Sequence, residues 1–245
     1  MLVSMHPSLV DLAHQAPTCT SQAQIRGLIA ESQELARNAL HHGETAVDVA
    51  RWYSGVVNDL LRSPALAEYP EVRPVGALAR GEALPSTPLL WVSEHGPSPQ
   101  SQFWEQARDV PEPPPQPELE QALAQRPPAM RTIDGLPDLN AEVDIHAHLI
   151  APAATLAHWA AQTPALSTPE RLAQTKLTAE EAEALLQAWN TGMELEAQRW
   201  RDRVPTTLTA RELPALQRSA FGAAARSVSL VIRSVAARNN ISTER

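Results

Sequence analysis

Toward both ends of the chain, apolar residues recur at three- and four-residue steps, the spacing that gathers them on one face of an α-helix. Ser21 can cap a first long segment in which Ile25, Leu28, Ile29, Leu35, Ala36, Ala39 and Leu40 fall mostly on that period, with Gly43 as its stop. A second run through Val47, Val49, Trp52, Val56, Val57, Leu60 and Leu61 ends ahead of Pro64, whose ring disfavours a helical residue before it. Residues 1–65 are therefore expected to form two antiparallel helices. The last third is punctuated more sharply. Ser167-Thr168-Pro169-Glu170-Arg171-Leu172 supplies a cap, a proline at the first helical position and an acid in the first turn. Thr178-Ala179-Glu180-Glu181 is a capping box before a helix through Leu185, Leu186, Trp189, Met193 and Leu195. A final helix is expected from about 209 to 238 over Leu216, Phe221, Leu230, Val231 and Val235, making 141–245 an antiparallel bundle.

Between these ends the period changes. Residues 72–78 and 89–92 are the convincing strand candidates in the segment 66–140. Prolines then crowd in at Pro97, Pro99, Pro111, Pro113, Pro114, Pro115, Pro127 and Pro128, a density that favours stiff extended spacers over regular pairing. Short helices fit at 101–108 and 117–125. The expected fold is mainly α with a small β-element, an α+β arrangement of N-terminal helical pair, reduced sheet and C-terminal bundle.

Composition narrows the function classes. The 245 residues include 22 prolines and only nine glycines, which places the prolines at helix starts and connections. A net charge of −8 argues against a nucleic-acid-binding surface while leaving room for one basic pocket. The single cysteine, Cys19, excludes an intramolecular disulfide and a cysteine-rich zinc site. No apolar run approaches the roughly 18 residues of a membrane span, and the N-terminus shows no cationic-then-apolar leader, so a cytoplasmic protein is expected.

Candidate chemistry concentrates in 74–91, which reads as a strand, a tight turn of small residues at Gly76-Ala77, the pair Arg80 and Glu82, and a second strand. A turn of this kind lets backbone N–H groups approach a triphosphate. Two carboxylates placed two residues apart on the next strand would share one face and hold Mg²⁺ between the phosphates. Those positions are Pro88 and Leu90, neither of which can ligate a metal.

A longer pattern runs through the C-terminal part: Ile133-Asp134-Gly135-Leu136-Pro137-Asp138, then 143–152 with Asp144-Ile145-His146-Ala147-His148-Leu149, then Leu156-Ala157-His158-Trp159-Ala160, Ser167 to Leu172, the helix at 177–201, and Leu213-Pro214-Ala215-Leu216-Gln217-Arg218. This order resembles the nucleotidyltransferase substrate-binding domain family. In bacteria that domain follows a nucleotidyltransferase-like domain, and the family is similar to the uridylyltransferase that modifies the PII nitrogen-signalling protein. The resemblance covers 25–95 and 130–240. It implies that Gly76, Arg80 and Glu82 match the companion domain's signature, with Ala77 standing for its Ser, Ala79 for its Gly, and Pro88 and Leu90 for its two aspartates. The implied protein is a catalytically inactive relative that binds a nucleotide through Gly76, Ala77, Arg80 and Glu82, or binds a protein partner, with a homodimer also open. It implies no catalytic residue, metal or cofactor. The active alternative, with Mg²⁺ and a nucleoside triphosphate, would need displaced acids such as Glu82, Glu94 or Asp144. The plainer reading makes Arg80 and Glu82 an ion pair at the end of a turn, and the bundle a structural interaction module.

Three further features have ordinary explanations. Asp144-x-His146-x-His148 looks like the metal-binding start of an amidohydrolase barrel, but too little chain and too few ligands follow it. His41-His42 suits a helix C-terminus. Arg211, Arg218, Arg226 and Arg233 recur at steps of seven, eight and seven, so they are expected on one quadrant of the last helix. That stripe could bind a phosphate or an acidic partner, or be solvated, or pair with the Glu-rich helix at 180–196.

Overall fold

The computed structural model describes residues 5–69, 72–93, 103–104, 106–133, 135–162, 167–206 and 208–242, and 61% of it is helical against 9% strand. The fold is thus mainly α with a small β-element. The residues divide into two compact units, Met1–Pro113 and Pro114–Arg245, and the expected middle segment 66–140 spans the division.

In the first unit, α1 (Pro7–Gln15) precedes α2 (Gln22–His41) and α3 (Ala46–Leu61). The caps expected from the sequence form: the Ser21 hydroxyl accepts from the Gln24 N–H in a reciprocal capping box, and Gly43 takes φ +91°, closed to most other residues. His42 ends α2, its Nδ1 donating to the Asn38 carbonyl at 2.7 Å. Leu12, Ile25, Val49, Val56 and Leu60 are buried, and the Trp52 indole donates to the Leu9 carbonyl at 2.8 Å, tying α3 to α1.

After α3 comes a three-stranded sheet in the order β1-β2-β3. Strand β1 (Val72–Val75) pairs antiparallel with β2 (Leu90–Ser93), which pairs in parallel with β3 (Arg108–Asp109). The structure corrects two expectations here. The strand 72–78 stops at Val75, because Gly76 opens α4 (Gly76–Arg80). Arg108, expected to end a helix at 101–108, instead starts a strand with Asp109, held by the Arg108 N–H to the Leu89 carbonyl at 2.9 Å, while residues 101, 102 and 105 of that expected helix lie outside the described residues. Trp91 and Trp104 close the sheet's core edge to face, their centroids 5.7 Å apart.

The second unit begins with α5 (Leu119–Leu123) and a two-stranded hairpin, β4 (Thr132–Ile133) with β5 (Leu136–Pro137), turning at Gly135 with φ +80°. Strand β6 (Glu142–Val143) pairs with β7 (Leu208–Thr209). A π-helical turn, His146–Ile150, leads into α6 (Ala151–Ala160), followed by α7 (Thr168–Ala173), α8 (Ala179–Arg201) and α9 (Ala215–Arg238). The capping boxes at Ser167 and Thr178 both form.

Helices α8 and α9 run antiparallel, since Glu181 at the start of α8 meets Ser234 and Arg238 at the end of α9, while Gln198 near the end of α8 meets Gln217 near the start of α9. Two glycines allow close approach: a Cβ on Gly192 would lie 2.8 Å from Ile150, and one on Gly222 2.7 Å from Pro137. The last helix begins at Ala215, not near 209. Pro214 forces Leu213 into extended backbone, so Thr209–Glu212 forms a strand end and a 3₁₀ turn instead. Among the described residues, helix α9 is long and apolar enough by composition to cross a membrane, and half of its most apolar stretch is buried.

Candidate functional site

The turn at Gly76 is built differently from a phosphate-gripping loop. Gly76 adopts φ +63° and starts a single five-residue helix whose first residues have no side-chain cap, and Gly81 closes it at φ +73°. Thus Gly76 and Ala77 are helical, not a tight turn. The Glu82 N–H returns to the Ala77 carbonyl at 2.9 Å. Two polar residues of α3 then stitch the following chain down: the Ser54 hydroxyl accepts the Ala83 N–H at 3.0 Å, and the Asn58 amide donates to the Leu78 carbonyl at 3.5 Å. Both residues read from the sequence only as part of a helix; their signal was polarity inside an apolar run.

Arg80 and Glu82 meet. The Arg80 Nε donates to Glu82 Oε2 at 2.6 Å, with Glu82 buried and Arg80 partly so. A carboxylate taken out of water is tolerated when such a charge-assisted bond satisfies it, and the guanidinium's positive charge is neutralised in the process. Pro88 and Leu90, which stand where the sequence resemblance implies two aspartates, differ in their surroundings. Pro88 is exposed, and Leu90 pairs with Val75 and packs over the turn, its Cδ1 3.4 Å from where a Gly76 Cβ would be. An apolar side chain therefore lies against Gly76. Of the displaced acids, Glu94 lies outside the described residues, as do residues 97–99. Asp144 belongs to the other unit, where its Oδ1 accepts the Ala147 N–H at 2.8 Å and caps the π-helical turn.

The candidate turn does not line either large cavity of the unit. One, of about 470 Å³, is bounded by Asn58, Arg62, Ser63, Tyr69, Val72 and Pro74 beside β1. The other, also of about 470 Å³, lies between α1 and α2 and is bounded by His6, Leu9, Leu35, Asn38, His42 and Glu44. Among the described residues, no three His, Cys, Asp or Glu side chains gather closely enough to hold a metal ion. Cys19 is buried, which pushes its thiol up from the ordinary value.

In the second unit the sequence-selected residues separate. His148 is buried beside the Phe221 ring at 6.0 Å, and its Nδ1 accepts the Asp144 N–H at 3.4 Å. Burial pushes this imidazole down from 6.5, against the pull of Asp144 and Glu142, so it sits neutral in the core while His146 is exposed. The four-arginine stripe is not one surface. Arg211 lies on the 3₁₀ turn and donates to Asn140 at 3.3 Å, and Arg218 donates to the Ala210 carbonyl at 3.4 Å; only Arg226 and Arg233 stand exposed on α9.

The arginine that pairs with the Glu-rich helix is Arg238, outside that stripe. Its Nη2 donates to Glu181 Oε2 at 2.7 Å, and Ser234 donates to Oε1 at 2.8 Å. Burial alone would push the Glu181 carboxyl up, but the bonds from Arg238, the Thr178 N–H and Ser234 outweigh it and hold it at about 2. Glu181 was visible in the sequence as the acid of a capping box; its partner 57 residues later was not. No family model, no curated protein and no solved structure matches the chain.

Proposed function

We propose that this is a non-catalytic binding protein of the cytoplasm: a nucleotidyltransferase-like regulatory module that engages a protein partner and transfers no nucleotide. The observation that carries the reading is the closed ion pair between Arg80 and Glu82 beneath a leucine-covered turn. Phosphoryl transfer depends on cations that bridge phosphate oxygens and neutralise developing charge. Here the cation of the turn is neutralised within the protein, and Pro88 and Leu90 offer no ligand to Mg²⁺. Each loss of about 1.4 kcal/mol of transition-state stabilisation slows a reaction tenfold, so the loss of a metal's several kcal/mol removes the reaction.

A second reading keeps nucleotide binding, and the close seating of Leu90 on Gly76 is what favours it, since turn and strand remain side by side as the family resemblance requires. Incubation with labelled ATP, CTP, GTP and UTP and Mg²⁺, in the presence of a cell extract to supply acceptors, tests the non-catalytic claim common to both readings. No labelled product is expected. Labelled product that disappears with Glu82→Ala, in a variant whose circular dichroism is unchanged, would overturn the non-catalytic reading and restore an enzyme.

A further inference from the structure

The cavity between α1 and α2 holds a carboxylate in an unusual place. Helix α2 ends in a Schellman closure, in which the Gly43 N–H donates to the Leu40 carbonyl at 3.3 Å and the Glu44 N–H to the Ala39 carbonyl at 3.0 Å. This closure folds residue 44 back over the last turn, at a position that ordinarily packs an apolar side chain on the helix. Here the residue is an acid. Glu44 is half-buried and lines the cavity of about 470 Å³, and among the described residues no arginine or lysine pairs with it. A carboxylate drawn partly out of water without a counter-charge calls for a cation.

The neighbouring groups say which kind. Asn38 and His42 sit one turn apart on the same face of α2, joined by the bond from His42 Nδ1 to the Asn38 carbonyl at 2.7 Å. A carbonyl only accepts, so Nδ1 carries the proton and Nε2 of the neutral ring presents a lone pair. The Asn38 side-chain amide adds a further acceptor oxygen. His6, on the α1 side, is the reverse: its Nδ1 accepts the Ser8 N–H at 3.3 Å, which leaves the proton of the neutral ring on Nε2. The apolar part of the lining is Leu9 and Ala39, both buried, and the half-buried Leu35.

We infer that this cavity binds a primary amine with a compact apolar body. An ammonium group carries three N–H donors, and the end of α2 offers three acceptors, the Glu44 carboxylate, His42 Nε2 and Asn38 Oδ1. The apolar body lies against Leu9, Leu35 and Ala39. A metal ion fits less well, because among the described residues no three His, Cys, Asp or Glu side chains gather closely enough to hold one. An anion would meet the charge of Glu44. The volume lies within the ~300–1,000 Å³ of small-molecule sites, and the net charge of −8 favours the approach of cations. The Gly76 turn does not line this cavity, so amine binding and the non-catalytic reading can each fail alone.

The test uses the full chain, its assigned backbone amide resonances and benzylammonium as the probe. Saturable shifts are expected at His6–Leu9 and Asn38–Glu44, with a dissociation constant on the order of 1 mM for so small a molecule. Benzyl alcohol lacks the charge and benzyltrimethylammonium lacks the N–H donors, so each should bind about tenfold more weakly or less, and benzoate should not bind. Glu44→Gln should weaken benzylammonium by about tenfold or more. Among the described residues no bond to the Glu44 side chain is lost in that variant, and far-ultraviolet circular dichroism checks the fold. His42→Asn keeps a donor for the Asn38 carbonyl and deletes Nε2, and should weaken the probe about threefold or more. Shifts confined to other residues, no saturation by about 20 mM, equal affinity for benzyl alcohol or benzyltrimethylammonium, or an affinity unmoved by Glu44→Gln would each overturn the proposal.

Discussion

Two of the carboxylate–arginine pairs among the described residues share their chemistry and differ greatly in reach. Glu82 and Arg80 are two residues apart and close a turn against themselves, whereas Glu181 and Arg238 are 57 residues apart and join the start of α8 to the end of α9. Glu82 is buried just after a short helix; Glu181 is the acid of a capping box, and Thr178, Ser234 and Arg238 donate to it from the ends of two helices. The local pair lies within one turn, where the carboxylate neutralises the guanidinium two residues before it. The long-range pair sets which ends of two helices meet. The same residue types therefore close a local turn in one unit and fix which helix ends meet in the other.

The largest expected effect comes from the core packing of the second unit rather than from either pair. Phe221 is fully buried on α9 beside His148, so Phe221→Ala should destabilise the second unit by about 3–5 kcal/mol, read from urea unfolding followed by tryptophan fluorescence. A loss under ~1 kcal/mol would mean that α9 is not the core helix described.

The clasp comes next. Glu181→Gln should destabilise by about 1–2 kcal/mol, and a double-mutant cycle with Arg238→Ala should return a coupling of about 1 kcal/mol, kept modest because Arg238 is 44% exposed and screened by solvent. Additive losses would show that the two residues do not act together.

Acid should find the same unit in two stages. His148 is held neutral with its value pushed below 6.5, so the folded state binds fewer protons than the unfolded one. Its contribution is intact above about 6.5 and erodes as pH falls below that. The Glu181 carboxyl, held at about 2 against an ordinary 4.5, contributes fully above about 4.5 and erodes between there and about 2. Stability of the second unit measured against pH should step down first below 6.5 and again below 4.5. His148→Gln should remove the first step and Glu181→Gln the second.

The smallest effect belongs to the local pair. Glu82→Gln should change stability by about 1 kcal/mol, because the amide oxygen that replaces the carboxylate can still accept from Arg80. A loss of several kcal/mol would show that the turn organises the first unit, and the comparison of the two pairs would fail.

What could be read in advance follows the range of the forces involved. Ser21, Gly43, Ser167 and Thr178 act within one helical turn, and each does in the fold what its neighbours in sequence imply. The start of α9 was misplaced because Thr209 and Glu212 do form a reciprocal cap, yet Pro214 breaks the backbone before it can propagate. Strand β3 escaped notice for a different reason. Its two residues have no strand signal of their own and are extended only because β2 offers them a parallel ladder. At the candidate site, the Arg80–Glu82 contact was legible from spacing, whereas the bonds from Ser54 and Asn58 depend on which face of α3 meets the turn. The partner of Glu181 depends likewise on how α8 and α9 are paired.

The central claim is that the charge of the turn is satisfied internally and no nucleotide is held there. Calorimetric titration of the full chain with ATP, CTP, GTP and UTP in the presence of Mg²⁺ addresses it most directly. The account predicts no saturable heat with any of the four. A saturable, one-to-one heat with any nucleotide that is lost on Arg80→Ala would contradict it.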